Sequence, residues 1–495
     1  MVIAAPRPTP RPIRLSELFP DVDSEVTVTG VAMDSRTVQP GDLYIAVGGA
    51  NVHGARFAAG VVAAGAVAVL TDAAGVGMLE QQATAGLPIV VVDDPRVQAG
   101  RVAAQIYGRA SESMVVVGIT GTNGKTTMSY LVESVLSAAG HVTGMLGTTG
   151  HRVAGRPLPT ERTTPEAVEV HAILGHMREA GVTAVVMEVS SHAMVFGRVN
   201  GVDFDVAVFT NLTQDHLDFH GTMAHYFEAK AALFDLAAQR VICVDDEWGR
   251  QLAERHPTAT TYGVTNPTAQ WRAVDLESQG VGSAFRAVDP AGTEVPCQVA
   301  LPGMFNVANA VGALATGTQL GVPTEVAVAG VAACRGVPGR MQSVPNSRGI
   351  RAFVDYAHTP DAVERAIAAT DGRVVAVLGC GGDRDAAKRP LMGEAAARLA
   401  DVVIVTDDNP RSEDPAAIRA AMMEGIRSVP PEVRAEVLEI GDRRAAIRAA
   451  VAAAGPGDAV VVLGKGHEQG QQVGSETHHF DDVEELCAAL EVVRQ

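Results

Sequence analysis

The most explicit chemistry in the chain lies in Gly118-Ile119-Thr120-Gly121-Thr122-Asn123-Gly124-Lys125-Thr126-Thr127. Glycines let backbone N–H groups close on phosphate oxygens, and a helix starting there adds positive potential at its N-terminus. Lys125 is placed to reach the β- and γ-phosphates of a nucleotide, and the Thr126 hydroxyl to hold Mg²⁺. Gly121, Thr122, Asn123, Gly124 and Thr127 complete the cradle. The spacing is one residue off the general pattern, since Ile119 stands where the first glycine belongs and the nearest glycine is Gly118. An ordinary glycine-rich strand-to-helix turn is the competing reading, and Gly-Lys-Thr-Thr in this setting argues against it.

Such a loop needs a strand before it and a helix after it. Residues 114–117 form a β-branched run. The spacing of Met128, Leu131, Val132, Val135, Leu136 and Ala139 predicts a helix over 126–139, stopped by Gly140. Buried strands are expected at 184–187, 206–209, 241–244, 374–378, 402–405 and 459–463, each followed by polar residues, as in open parallel sheets. Shorter strands are expected at 43–47, 66–70 and 89–92.

At about 150 residues per domain, a chain of 495 residues implies three domains. The expected division is a disordered tail at 1–12 and domains at 13–107, 108–340 and 341–495, with Pro338-Gly339 and Pro345-Asn346 marking the second boundary. Hydrophobic residues make up 47% and aromatics 4%, so small aliphatics fill the cores and general disorder is excluded. The net charge of −18 disfavours nucleic acid but not small anions held by local Arg, Lys and N–H groups. Five scattered cysteines make neither a disulfide framework nor a zinc site and fit a reducing compartment. No run reaches the length of a membrane span; the longest, 58–70, is short and rich in Ala and Gly. The proline-rich stretch 4–12 lacks an apolar core and reads as a frayed tail, not a signal peptide, so a cytoplasmic protein is expected.

Further motifs make the chain recognisable. Gly121 to Thr127, Asn211-Leu212-Thr213-Gln214-Asp215-His216-Leu217-Asp218 and Tyr226-Phe227-Glu228-Ala229-Lys230 resemble the ATP-dependent muramyl ligases, the Mur ligase family. The resemblance runs from Asp34-Ser35-Arg36 to Gly464-Lys465-Gly466-His467-Glu468. It implies an α/β fold of three domains: a UDP-binding domain, a central ATPase domain on a parallel phosphate-loop sheet, and a C-terminal Rossmann-like domain. It also implies an enzyme that joins an amino acid to a UDP-linked peptidoglycan precursor, with ATP as co-substrate and Mg²⁺ as cofactor.

The residue roles below follow from that resemblance. Thr126 and Glu188 bind Mg²⁺, with His216 near a second ion. His216 taken alone is more often a structural histidine, and the surrounding motif reverses that reading. Lys230 is a carbamylated lysine, a cation turned into an oxygen ligand. That modification requires a neutral amine, hence burial or nearby positive charge. Met33, Ser35, Arg36, Asn51 and His53 lie along the UDP moiety. Thr163, Thr164, Ser190, Phe196 and Arg198 hold the muramoyl dipeptide. The family often has Gln at the position of Phe196, so one polar contact is absent. Asn306 and Asn309 face the adenine, and Arg340, Asp355 and His358 clamp the nucleotide as the third domain closes over ATP.

Asp408-Asn409-Pro410-Arg411 concerns the amino acid added. meso-Diaminopimelate is a lysine with an extra carboxylate, and a guanidinium pairs a carboxylate through two parallel hydrogen bonds. Arg411 is the expected reader of that group, since lysine-adding relatives generally lack it. Arg384 would hold the other carboxylate, and Gly464 and Glu468 the ammonium end. The expected reaction joins meso-diaminopimelate to the D-Glu γ-carboxylate of UDP-N-acetylmuramoyl-L-Ala-D-Glu through an acyl phosphate, in a monomeric enzyme. Two rivals remain: folylpolyglutamate synthase or a lysine-adding relative within the family, and a regulatory NTPase outside it. The second would hydrolyse ATP whatever amino acid is offered.

Overall fold

Short β-branched runs, each ending in a glycine or polar loop, build three sheets whose carboxyl edges carry the candidate residues. The computed structural model describes residues 5–49, 52–80, 86–160 and 162–491. The first sheet has four parallel strands in sequence order: Gly30–Ala32, Asp42–Ile45, Ala68–Thr71 and Ile89–Val91. Helix Pro95–Ile106 follows; Asp94 accepts from the amides of Arg96 and Val97, and Pro95 opens the first turn, an ordinary helix start.

Strand Val115–Thr120 sits inside the second sheet, between Ala184–Glu188 and Phe204–Phe209. Helix Lys125–Ala138 packs Met128, Leu131, Val132, Val135 and Leu136 into the core, as the helical spacing predicts. Ala139 falls outside the helix as its cap. The strands expected at 374–378, 402–405 and 459–463 occur with those limits, inside a third sheet of six. There Ala459–Leu463 lies between Arg351–Asp355 and Val374–Leu378, all parallel.

Two expectations need correction. The central sheet is mixed, not parallel throughout. Seven parallel strands (Thr143–Leu146 to Trp271–Ser278 in spatial order) carry an antiparallel pair at each end, His151–Val153 with Arg156–Leu158 and Ser283–Val288 with Glu294–Val299. Trp271, Ala273, Phe285, Ala287, Cys297 and Val299 are buried at every second position. That period-2 pattern marks half-exposed antiparallel strands, whereas a search for continuous apolar runs finds only strands buried on both faces.

The second correction concerns the tail. Residues 5–12 are ordered by specific contacts. The Arg7 guanidinium donates to Asp42 Oδ1 at 2.6 Å and to the carbonyls of Val31 and Thr37. Asp42 is 1% exposed, so it requires that partner. Pro8 lies against Gly175, and the Thr9 amide donates to Glu179 at 3.0 Å. Both are on helix Ala167–Glu179 of the central unit, so the segment straps the first sheet to it. Removing the Arg7 side chain should cost local stability of about 2 kcal/mol, the order of a charged hydrogen bond to a buried carboxylate. Hydrogen exchange in a peptide spanning residues 5–14 should then speed up roughly 30-fold in Arg7→Ala; an unchanged rate would show that the strap is held by its prolines alone.

Candidate active site

Strand Val115–Thr120 delivers the glycine loop directly into helix Lys125–Ala138. Gly121 has φ +146, and a Cβ there would run into Thr210 Oγ1, so no side chain fits. The neighbouring strand end fixes the loop. Thr210 Oγ1 donates to the Asn123 carbonyl at 2.7 Å, and the Asn123 amide donates to Asn211 Oδ1 at 3.0 Å. Thr126 and Thr127 are buried in the first helical turn.

Two lysines meet at one oxygen. Lys125 Nζ folds back on the carbonyls of Gly121 and Thr122, each at 2.9 Å. Lys230, on helix Met223–Ala231, is 1% exposed, and its Nζ donates to the same Gly121 carbonyl at 2.8 Å. It also stands 4.6 Å from the centre of the Tyr226 ring. Burial, and then the Lys125 charge, hold the Lys230 amine well below the ordinary lysine range, against the pull of Asp215. Burial lowers Lys125 as well, opposed by Glu188 and Asp215.

An oxygen cluster lies beside them. Glu188, at the end of its strand, is fully buried. It accepts from Thr126 Oγ1 at 3.1 Å, Thr148 Oγ1 at 2.9 Å and the Thr148 amide at 2.8 Å. Thr148 Oγ1 is 3.0 Å from Thr163 Oγ1, Thr164 Oγ1 donates to the Glu188 carbonyl, and the Ser190 amide donates to Thr164 Oγ1. Arg340 reaches Thr126 Oγ1 at 3.2 Å. The Thr126 hydroxyl and Glu188 carboxylate are hard oxygen donors at the phosphate loop and fit Mg²⁺. Among the described residues no group of three or more His, Cys, Asp or Glu could hold a metal unaided. An ion held by Thr126 and Glu188 has positions left for phosphate oxygens and water. His216, at φ +54, has a half-exposed ring that faces the Tyr226 ring at 6.2 Å, so it and Lys230 flank one aromatic. Burial pushes its imidazole down to about 4, against Asp215, which leaves a neutral ring able to act as a ligand.

A cavity of about 730 Å³ runs from this loop to the third sheet. Its lining includes Asn123, Lys125, Glu188, Asn309, Arg340, Asp355 and His358. Asp355 accepts from the amides of Met341 at 2.6 Å and Ala357 at 2.8 Å. His358 Nδ1 donates to the Tyr356 carbonyl at 2.8 Å, which leaves Nε2 as an acceptor. Asn306 departs from expectation: it is not part of the lining, and its amide donates to the Pro302 carbonyl at 2.8 Å. It supports Asn309 from behind.

The third sheet gathers the amino-acid candidates at its carboxyl edge. Asp408, Asn409 and Pro410 are buried. Lys465, fully buried, donates to Asp408 Oδ1 at 3.3 Å and Asn409 Oδ1 at 3.1 Å, and Asn409 Nδ2 donates to Glu468 Oε2 at 2.8 Å. Burial and Asp408 raise the Glu468 carboxyl, against Lys465. Arg443, paired with Asp482 at 2.7 Å with both side chains fully buried, donates to the Leu463 carbonyl just ahead of Gly464. Arg411 Nη1 donates to the Gly382 carbonyl at 2.5 Å. Arg384, on the adjoining loop, is exposed and bonds the Asp383 carbonyl.

The first-sheet candidates are not drawn into this cavity. Asp34 accepts from the Arg36 amide and guanidinium, which closes a turn around Ser35, and Met33 packs on the domain core. Asn51 lies outside the described residues. Both His53 nitrogens have internal partners. Nδ1 accepts from the Ala55 amide, so Nε2 carries the proton and faces Asp72. As placed, His53 caps its own short helix. Arg198 donates to Glu166 at 2.8 Å, where Arg162 and Arg96 also converge, and Phe196 lies 5.6 Å from each of Arg96 and Arg198.

Thr148, Lys465 and Glu166 stand in the site without a sequence signal that assigns them there. Thr148 and Glu166 belong to no motif, and only the fold brings them in. Lys465 was visible within Gly464-Lys465-Gly466, but nothing local reports that it is buried.

Comparison with known proteins bears on all three units. Residues 27–107 match the Mur ligase family catalytic domain, 119–317 the Mur ligase middle domain, and 339–466 the Mur ligase glutamate ligase domain. The UDP-N-acetylmuramoyl-L-alanyl-D-glutamate–2,6-diaminopimelate ligase of Streptomyces coelicolor is 48% identical over 97% of this chain and 98% of its own. The enzyme of the same name from Corynebacterium efficiens is 49% identical over 96% of this chain and 92% of its own. A solved structure of a ligase of that name superposes with a TM-score of 0.69 at 34% identity, covering 97% of this chain and 99% of that one. Identity of this degree along nearly the whole length, with three domains matched in order, means that the chain belongs to the Mur ligase family.

Proposed function

We propose that this protein is an ATP-dependent ligase that adds meso-diaminopimelate to UDP-N-acetylmuramoyl-L-Ala-D-Glu in peptidoglycan precursor synthesis, acting as a monomer in the cytoplasm. The observation that carries the reading is one cavity bounded by the phosphate loop on one side and Asp355, His358 and Arg340 on the other. The names of the similar enzymes support the choice of substrates.

A carboxylate is a poor electrophile, so it must first be activated. Loop N–H groups and Lys125 hold the ATP phosphates; to do so Lys125 exchanges its two carbonyl partners for phosphate oxygens. An oxygen of the D-Glu γ-carboxylate attacks the γ-phosphorus, the bond to the bridging oxygen breaks, and ADP departs. The amine nitrogen of meso-diaminopimelate then attacks the acyl carbon, loses a proton, and phosphate leaves as the amide forms. Mg²⁺, when bound at Thr126 and Glu188, neutralises phosphate charge. Thr163, Thr164, Ser190 and Arg198 orient the dipeptide, while Met33, Ser35 and Arg36 take the uridine side. Asp408, Gly464 and Glu468 receive the ammonium end of the incoming amino acid, and Arg411 its distal carboxylate. Arg384 takes the other carboxylate once it leaves the Asp383 carbonyl. Lys230, as a carbamate, and His216 would supply further oxygen and nitrogen ligands to a bound ion.

Phosphate release with ATP, Mg²⁺ and the UDP-muramoyl dipeptide should be stimulated by meso-diaminopimelate and not by L-lysine. Equal release with either amino acid or with none would contradict ligase activity. In Arg411→Ala, KM for meso-diaminopimelate should rise roughly 10- to 150-fold, the equivalent of a lost charged hydrogen-bond pair. An unchanged KM would remove Arg411 from amino-acid recognition.

A further inference from the structure

We propose that the surface hairpin Gly470–Val473 with Glu476–His479 positions Arg411, through Gln471 and Gly474, and so helps set which amino acid is accepted. The proposal rests on the role given to Arg411 above. The hairpin forms a separate two-stranded sheet outside the six-stranded one. It contributes little to the core, since Val473 is 46% exposed and residues 476–479 are exposed throughout.

Besides His479, which pairs with Glu484, the hairpin bonds the segment Asp408 to Arg411. Arg411 has φ +52, a left-handed conformation that a residue with a side chain keeps only when its surroundings impose it. Two backbone hydrogen bonds impose it here. The Arg411 amide donates to the Gln472 carbonyl at 3.1 Å, and the Gly474 amide donates to the Arg411 carbonyl at 2.7 Å, forming a parallel bridge with Val473. Two more hold the preceding residues: Gln471 Nε2 donates to the Asp408 carbonyl at 2.8 Å, and the Gln472 amide to Asn409 Oδ1 at 2.9 Å. The direction in which the guanidinium leaves the loop depends on that backbone. Among the described residues, the guanidinium donates to the Gly382 carbonyl. Gln471 and Gly474 touch no reacting group; they act through Arg411.

Gly474 has φ +60, and a Cβ there would enter open space. Substituting it therefore tests backbone conformation without a clash. Asn tolerates the left-handed region better than Ala does.

The test uses the full-length enzyme and steady-state phosphate release with meso-diaminopimelate or L-lysine. Gln471→Leu and Gly474→Ala should each raise KM for meso-diaminopimelate about 3- to 10-fold. They should leave kcat and KM for ATP unchanged and reduce discrimination against lysine by a similar factor. Gly474→Asn should restore most of the difference. An unchanged KM in both variants would overturn the proposal, as would a parallel loss of kcat and every KM, which indicates general damage. Wild-type enzyme that does not respond to meso-diaminopimelate would instead remove the underlying function, and that result appears before any substitution is made.

Discussion

The Gly121 carbonyl oxygen accepts from two lysine side chains at once, Lys125 at 2.9 Å and Lys230 at 2.8 Å. Two ammonium groups on one oxygen, one of them almost completely buried, repel strongly where water cannot screen them. The surroundings ease this in two ways. Glu188 and Asp215 offset positive charge from one side, and burial drives the Lys230 amine towards its neutral form. A neutral amine is a nucleophile that can take up carbon dioxide, whereas an ammonium is not. The geometry that permits the modification also requires Gly at 121, because Thr210 occupies the space of a Cβ. Loop conformation, lysine chemistry and the adjacent strand end thus form a single constraint.

The rest of the molecule can be understood as holding two sheet edges against that loop. Glu188, Thr148 and Thr210 lie at or just beyond strand ends of the central sheet; Asp355, Asp408 and Gly464 lie at or just beyond strand ends of the third. Ligand sites in open α/β sheets lie outside the carboxyl ends of strands, and here two such edges share one cavity. A few polar contacts join them: Asn123 to Asp361 at 3.0 Å, His467 to the Thr148 carbonyl at 3.1 Å and Arg340 to Thr126 at 3.2 Å. Interfaces made of such contacts open and close at modest cost. That suits a reaction whose acyl phosphate must be shielded from water yet whose products must leave. The first unit is attached differently, by apolar packing of helix Pro95–Ile106 on helix Ala167–Glu179, with the residue 5–12 strap and the meeting of Arg96 with Glu166 beside it.

Much of this was legible in the sequence because the signals were local. The phosphate loop, its helix and the strands at 374–378, 402–405 and 459–463 depend on residues adjacent in the chain. The antiparallel ends of the central sheet were not legible, since half-exposed strands alternate instead of running apolar. Nor was the strap, because Arg7 and Asp42 are far apart in sequence and no local pattern pairs them. Asn306 matched a motif but faces Pro302, and His53 matched one but caps its own turn. A motif fixes residue type and spacing; which of its side chains reaches a cavity is decided by packing.

The carbamate proposed at Lys230 requires an amine that burial pushes towards its neutral form. Labelling purified enzyme with ¹³C-bicarbonate and recording its ¹³C spectrum tests this most directly. A carbamate resonance in the wild type that is absent from Lys230→Gln, and that fades as the pH is lowered and the amine protonates, is the result this account predicts. An active wild-type enzyme with no such resonance would contradict it.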